Sequence, residues 1–184
     1  VLFPVLWLVL ISVRTELESF RMPPRLLVTP TLQNYVDLWQ SKFLRAFENS
    51  AVTATTTTLL SLLLGVPAAY ALSRAGLRSE RLLSLWVLAT RMAPPIAFGI
   101  PFFLIYKELD LIDTKLGLVV IYLSFNLSLV IWMMRAFFDG LPRSLEEAAY
   151  IDGAGVLGAF VRVTLPLCAP GLATTAIFCF LLSW

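Results

Sequence analysis

The segment 139–166 contains the residues best suited to chemistry with another protein. It is more polar than the apolar runs on either side of it, and its pattern predicts two short helices joined by a turn. Glu147 falls on the first of these helices, where an exposed carboxylate can form a charge-assisted hydrogen bond with a cation on a partner. Ala148 and Ala149 follow it, and their small side chains permit a close approach. The segment therefore has the character of a polar, helical loop between two apolar runs.

Local signals predict where the first short helix begins and ends. Pro142 suits a first helical turn, and Ser144 with Glu147 has the spacing of a capping box, so the helix is expected to begin here. Gly153 and Gly155 can adopt the positive φ that ends a helix and redirects the chain. The result would be a compact helix-turn-helix between two apolar runs.

The second short helix is expected at 156–163. Leu157 and Phe160 would give it two apolar side chains for contact with a partner. Leu165 and Pro166 come next, and Pro166 is expected to open the last apolar run.

Two polar residues inside apolar runs are further candidates. Arg91 lies nine residues beyond Leu82, and a bare charge at that depth is costly. It should therefore face a partner, a wet cavity or a helix broken at the following Pro94 and Pro95. Two roles are open for Arg91: lining a cavity or gate, or a structural ion pair reached by snorkelling. Asn126 is a second candidate for the cavity, although an asparagine in a membrane helix more often bonds a neighbouring helix.

Several classes of function lack the residues they need. The sequence contains no histidine, no H-E-x-x-H motif and no paired intramembrane aspartates, which argues against an intramembrane enzyme. It has no G-x-x-x-x-G-K-[ST] loop, so ATP hydrolysis would need another protein. Cys168 and Cys179 both lie in the last apolar run, which indicates neither a disulfide framework nor a metal site. A net charge of +2 from scattered residues gives no reason to expect nucleic acid, and no cofactor is expected.

The elements that must position these residues are membrane helices. Of the 184 residues, 59% are hydrophobic and 14% are charged, far from the average of soluble proteins. Three apolar runs, 50–72, 82–106 and 116–138, are long enough to cross a bilayer as helices. Asn49 and Ser50 are good N-cap residues for the first of them. Partial apolar runs at both ends bring the predicted crossings to five, and suggest a chain cut at both ends.

Loop charge predicts the orientation of these crossings. The short loop 74–81 is basic, whereas 107–115 is net acidic, which favours a cytoplasmic position for the basic loop. The longer segment 14–49 would then lie outside as a folded surface loop, despite its own basic residues.

The spacing of residues in 139–166 resembles the cytoplasmic loop of ABC importer permeases. The sequence has Glu-Ala-Ala, a glycine after three further residues, and Val-x-Leu-Pro after nine more. The only departure from the family pattern is a valine where isoleucine is usual. The matching residues are Glu147, Ala148, Ala149, Gly153, Val163, Leu165 and Pro166.

The wider segment 146–154, which ends in Ile-Asp-Gly-Ala, resembles the carbohydrate-uptake branch and its maltose-type inner permease subunits. Other stretches fit the same family: 30–35, 49–50, 65–72, 94–95 and Pro101. The resemblance implies an all-α, polytopic type I permease fold of six spans, of which this chain would hold about five. It also implies one transmembrane domain, 1–184, with a cytoplasmic coupling loop at 139–166.

The resemblance further implies a mechanism and a set of partners. The loop would dock as a short coupling helix in a cleft of a cytoplasmic ATP-binding subunit, with Glu147 meeting a basic residue there. Alternating access in a prokaryotic inner membrane would also involve a second permease subunit, an external solute-binding protein and the lipid bilayer. A sugar is the expected cargo. The alternatives are another small polar solute, such as a polyamine or a phosphate ester, or a membrane scaffold without transport.

The ATPase-coupling residues that the resemblance implies include both small and apolar side chains. They are Glu147, Ala148, Ala149, Gly153, Leu157, Phe160, Leu165 and Pro166.

Overall fold

The computed structural model describes residues 2–22, 29–76, 79–92 and 94–184, except for the side chains of Glu80, Arg81, Arg91 and Pro95. Each regular element in these ranges is helical, as the sequence predicts. The chain divides into two compact units, Val1–Asn49 and Ser50–Trp184.

The first unit has folded structure in the segment that follows its apolar start. Asn34 Nδ2 donates hydrogen bonds to the backbone carbonyl oxygens of Ser12 at 2.9 Å and Arg14 at 2.6 Å. These bonds join helices separated by about twenty residues, which confirms a folded loop rather than a flexible linker. The short helices of this unit are α1 (Phe3–Ser12), α2 (Glu16–Ser19) and α3 (Gln33–Gln40).

The first long helix, α4, runs from Phe43 to Arg74 and has 32 residues. It begins earlier than the predicted start at residue 50, so Asn49 and Ser50 lie inside the helix and do not cap it. The reason is that the sequence from Phe43 to Asn49 contains neither proline nor glycine, and a helix continues until a breaker or cap ends it.

The predicted crossing at 82–106 is not one helix. It consists of α5 (Glu80–Met92), a 3₁₀ turn (Pro95–Phe98) and α6 (Gly99–Glu108). Pro94 between them is extended, with φ −65° and ψ 128°. Since a residue before proline is pushed out of the α conformation, Pro95 accounts for this geometry and for the break. The run is therefore two short helices.

The second long helix, α7, runs from Lys115 to Asp139 and has 25 residues. Thr114 caps it, because its Oγ1 accepts a hydrogen bond from the Gly117 backbone N–H at 3.0 Å. Among the described residues, α4 and α7 are the two single helices long and apolar enough to cross a membrane. A bent pair near the end of the chain would make a third. The remaining predicted crossings consist of shorter or broken helices.

The first arm of the bent pair is the second helix of the predicted helix-turn-helix. The second short helix does not end at residue 163, because it continues through a π-helical turn to Leu167 before the chain bends by 76°. The elements are α8 (Ser144–Ile151), α9 (Val156–Ala159), the π turn (Phe160–Thr164), α10 (Leu165–Leu167) and α11 (Ala169–Ser183).

Close packing joins the long helices of the second unit. A Cβ placed on Gly65 of α4 would lie 2.6 Å from Val130 Cγ1 of α7, so a residue without a side chain is needed at this contact. Gly171 of α11 likewise approaches the ring of Phe137. The buried core has members on α4, α7, the π turn and α11, and one residue, Cys168, between α10 and α11. Its members are Val66, Ala69, Tyr70, Leu129, Val130, Met134, Phe138, Phe160, Cys168 and Cys179.

Candidate functional site

The turn between α8 and α9 has the predicted geometry at Gly153 but not at Gly155. Gly153 has φ +86°, which confirms the prediction, whereas Gly155 has φ −73°. The backbone N–H of Ala154 donates to the Ala149 carbonyl at 2.9 Å, and the N–H of Gly153 donates to the Tyr150 carbonyl at 3.0 Å. This is the Schellman arrangement that ends a helix. It sends the chain into α9.

The start of α8 differs from the predicted capping box. Arg143 is the N-cap residue, with helical φ −64° and ψ −26°, and no side chain caps the helix. Helical turning has already begun at Pro142, whose carbonyl accepts from the Leu145 N–H at 3.3 Å. Ser144 is therefore inside the helix, and the capping-box prediction is wrong. Glu147 is exposed and its carboxylate is not used as a cap.

The predicted docking residues separate into an exposed set and a buried set. Ala149 and Phe160 are buried and Leu165 is half-buried. Leu157 is 74% exposed. The other exposed members are Glu147, Ala148, Gly153 and Pro166.

Phe160 is not an exposed apolar contact residue, which corrects the prediction. Its ring centroid lies 4.5 Å from that of Tyr70 and 6.2 Å from that of Phe138. Only 8% of the residue is exposed. It anchors the second short helix to α4 and α7, so the apolar contribution to a docking surface comes from Leu157 and its exposed neighbour Val156.

Glu146, the residue before the predicted anchor, is a site residue that the sequence analysis missed. It is 5% exposed, and three hydrogen bonds reach its carboxylate. Arg74 Nε and Thr164 Oγ1 each donate to Oε1 at 2.9 Å. Tyr70 Oη donates to Oε2 at 3.0 Å. The carboxylate therefore joins α8, the end of α4 and the π turn.

The environment of Glu146 keeps this carboxylate charged. Burial by itself acts to raise the pKa of the Glu146 carboxyl. Hydrogen bonds from Arg74, Thr164 and Tyr70, together with the positive charge of Arg74, outweigh that effect and lower the pKa below its ordinary value. Glu146 and Arg74 thus form a charged pair with its polar atoms satisfied.

The same end of α4 holds the start of the loop. Arg74 Nη2 donates to the Leu141 carbonyl at 3.0 Å, and Arg143 Nη2 donates to the Ser73 carbonyl at 3.2 Å. Ser73 Oγ donates to Asp139 Oδ1 at 2.5 Å. These bonds hold residues 139–143, which lead into α8, against the last turn of α4.

The sequence offers a partial signal for Glu146, because residues three apart share one face of a helix and Glu146 is three residues from the small Ala149. Glu146 lies three residues before Ala149, and both are buried on the same face of α8. Its partner Arg74 is the last residue of the long helix α4, and the last turn of a helix stabilises a cation.

The other candidates have different positions. Arg91 lies in α5, but its side chain is outside the described part of the chain, so its role at a cavity or gate stays a prediction. Asn126 is buried on α7, and its Nδ2 donates to Ser183 Oγ at 2.7 Å and to the Cys179 carbonyl at 3.3 Å. These bonds give Asn126 the interhelical role that is common for asparagine in membrane helices. Within the described residues, no group of three His, Cys, Asp or Glu side chains could hold a metal ion.

Comparisons with known proteins agree on one family. A family model described as binding-protein-dependent transport system inner membrane component matches residues 61–184. The trehalose transport system permease protein SugB of Mycobacterium tuberculosis is 37% identical over 186 residues, covering 100% of this chain and 67% of that protein. The sulfoquinovosyl glycerol transport system permease protein SmoH of Agrobacterium fabrum is 36% identical, with coverage of 100% and 65%.

A solved structure supports the same fold. It is the crystal structure of a bacterial ABC transporter involved in the import of the acidic polysaccharide alginate. The TM-score is 0.80 at 29% identity, and the match covers 100% of this chain and 65% of the solved chain. The chain spans about two thirds of the length of the relatives it matches, 65% to 67% for the two named above.

Proposed function

This chain belongs to the inner membrane component family of binding-protein-dependent transport systems, and from that membership we propose that the whole protein is the permease subunit of an ABC importer. It is a multi-pass membrane protein of all-helical fold. Hydrolysis of ATP would be carried out by separate cytoplasmic subunits. A second permease subunit and an external solute-binding protein would complete the machine.

The exposed surface of α8, of the turn that follows it and of the start of α9 would be the ATPase-docking surface, which we define as Glu147, Ala148, Gly153, Val156 and Leu157. The observation that carries this proposal is the exposed Glu147 beside the small Ala148, on a helix held to α4 by buried bonds. A carboxylate in that position can anchor a basic side chain, and the neighbouring alanine permits a partner helix or cleft to approach. Phe160 and Ala149 are excluded because they are buried.

Sidedness follows from this docking role. If the docking surface meets a cytoplasmic ATPase, the loop 74–81 lies on the same side of the membrane, because two predicted crossings, 82–106 and 116–138, lie between them in the chain. The segment 14–49 and the loop 107–115 then lie outside. The assignment of 1–184 to one transmembrane domain, and of 139–166 as its coupling loop, is part of the same proposal.

A sugar or sugar derivative is the proposed cargo. The relatives named for trehalose and sulfoquinovosyl glycerol support this class, since each of these permeases matches the whole of this chain. Calorimetry on the cognate solute-binding protein tests the cargo. Tight binding of a sugar is the expected result. Tight binding of an amino acid, peptide or polyamine with no affinity for sugars would contradict it.

Affinity purification of the intact transporter tests the docking surface. Glu147→Ala should lower the recovery of the ATPase subunit at least fivefold without changing the amount of permease in the membrane. The matched control is Glu108→Ala, which removes an exposed glutamate from the loop proposed to lie outside. Equal ATPase recovery from both variants and the wild type would contradict the proposal.

A further inference from the structure

The buried junction around Glu146 connects α8 to two elements that carry no residue of the docking surface. Its carboxylate lies on α8, Arg74 and Tyr70 belong to α4, and Thr164 is the last residue of the π turn. The residue that follows Glu146 is the exposed Glu147. Glu147 is therefore joined by one peptide unit to Glu146, which is hydrogen-bonded to both α4 and the π turn.

The junction is stiff for physical reasons. Its two charges are largely removed from water, with 11% of the Arg74 side chain and 6% of the Glu146 side chain exposed. Separating a buried pair leaves an uncompensated charge, so the alternative positions of α8 relative to α4 are strongly disfavoured. The rings of Tyr70 and Phe160 are packed alongside at 4.5 Å, which opposes sliding of the π turn along α4.

The π turn leads directly into the bend of the last helix pair. Thr164 ends the turn, and the 76° bend lies between Leu167 and Ala169. π-helical turns inside α-helices occur frequently at functional sites. The hydrogen bond from Thr164 to Glu146 links this turn to α8.

We propose that Glu146 and Arg74 are positioning residues, which make α8, the end of α4 and the π turn move as one body when the docking surface moves. This inference rests on the proposed function. Glu147 would then hold the ATPase, and Glu146 would pass its movement to the membrane helices. Loss of Glu147 should release the ATPase, whereas loss of Glu146 should leave it bound but ineffective.

The test uses the complete transporter reconstituted with its solute-binding protein. The readouts are recovery of the ATPase subunit and the ratio of substrate-stimulated to basal ATP hydrolysis in assembled complexes. Glu146→Gln and Arg74→Gln should keep ATPase recovery within twofold of the wild type and lower the stimulation ratio at least tenfold. A residue that only stabilised the fold would reduce the amount of complex and leave the ratio in surviving complexes unchanged.

A double variant and a milder variant complete the design. Arg74→Gln combined with Glu146→Gln removes both charges, so the ratio should rise at least threefold above that of either single variant. Thr164→Val keeps the ion pair and the side-chain shape, so this variant should fold even where Glu146→Gln does not fold. It should lower the stimulation ratio at least threefold.

Two outcomes would overturn the inference. One is an unchanged stimulation ratio in Glu146→Gln or, where that variant is not recovered, in Thr164→Val. The other is loss of ATPase recovery in Glu146→Gln to the level of Glu147→Ala. Failure of the proposed function itself is distinguishable, because the wild-type complex would then show neither ATPase recovery nor stimulation.

Discussion

Arg74 Nε lies 2.9 Å from Glu146 Oε1, although 72 residues separate the two along the chain. This bond joins the last residue of α4 to the third residue of α8. Because both side chains are buried, removing one of them is expected to cost about 3 to 5 kcal/mol, whereas removing both costs much less.

A double-mutant cycle measures this coupling. Glu146→Gln and Arg74→Gln should each lower the free energy of unfolding of the detergent-purified protein, and the double variant should be more stable than the sum of the single effects indicates. Denaturant titration followed by circular dichroism provides the measurement. Glu147→Gln is the control and should change stability by less than about 0.5 kcal/mol, since its side chain is exposed. Strict additivity would show that the two residues are not energetically coupled.

The pH dependence of stability has a definite sign at Glu146. The folded pKa of this carboxyl lies below its ordinary value of 4.5, because hydrogen bonds from Arg74, Thr164 and Tyr70 favour the charged form. The stabilisation is therefore fully present above pH 4.5 and is lost as the pH falls through the folded pKa. Melting temperatures measured from pH 7 downwards should fall more steeply for the wild type than for Glu146→Gln. Parallel curves would contradict the assigned charge state.

Two glycines in one turn provide a matched pair for backbone strain. Neither has a neighbour within 4 Å of an added Cβ, but Gly153 has φ +86°, and Gly155 has φ −73°. Gly153→Ala should cost about 1 to 2 kcal/mol through its left-handed backbone, and Gly155→Ala should be nearly neutral. Thermal denaturation of both variants compares them directly. Equal destabilisation would contradict a specific backbone requirement at Gly153.

Orientation can be measured with cysteine labelling in intact cells. A cysteine replacing Gln33 should react with a membrane-impermeant maleimide added outside, and one replacing Arg143 should react only after the membrane is opened. The native Cys168 and Cys179 are buried and should stay unlabelled. The opposite pattern would place α8 outside and remove any role in meeting a cytoplasmic ATPase.

The helix-turn-helix within 139–166 could be located from sequence because its signals are local. The positive φ of Gly153 was predictable from residue type alone. The apolar runs behind α4 and α7 were likewise visible, since about 20 consecutive apolar residues have few alternatives to a membrane helix.

Properties set by packing between distant helices were not predictable from the sequence. The choice between Glu146 and Glu147 as the exposed glutamate depends on the rotation of α8, which is fixed by Arg74 and by the ring of Tyr70 far away in the chain. The burial of Phe160 has the same cause. Pro94 and Pro95 mark the break between α5 and α6, but the apolar run 82–106 continues across it, so the length of the run predicted a single crossing.

Site-directed cross-linking in the assembled transporter tests the central claim most directly, because it reports which surface meets the ATPase. A cysteine replacing the exposed Ala148 carries a short photoactivatable cross-linker, and a cysteine replacing the exposed Glu108 serves as the control. We predict a cross-linked product with the ATP-binding subunit from position 148 and none from position 108. An intact complex that gives no ATPase product from position 148, or equal products from both positions, would contradict the assignment of α8 as the docking element.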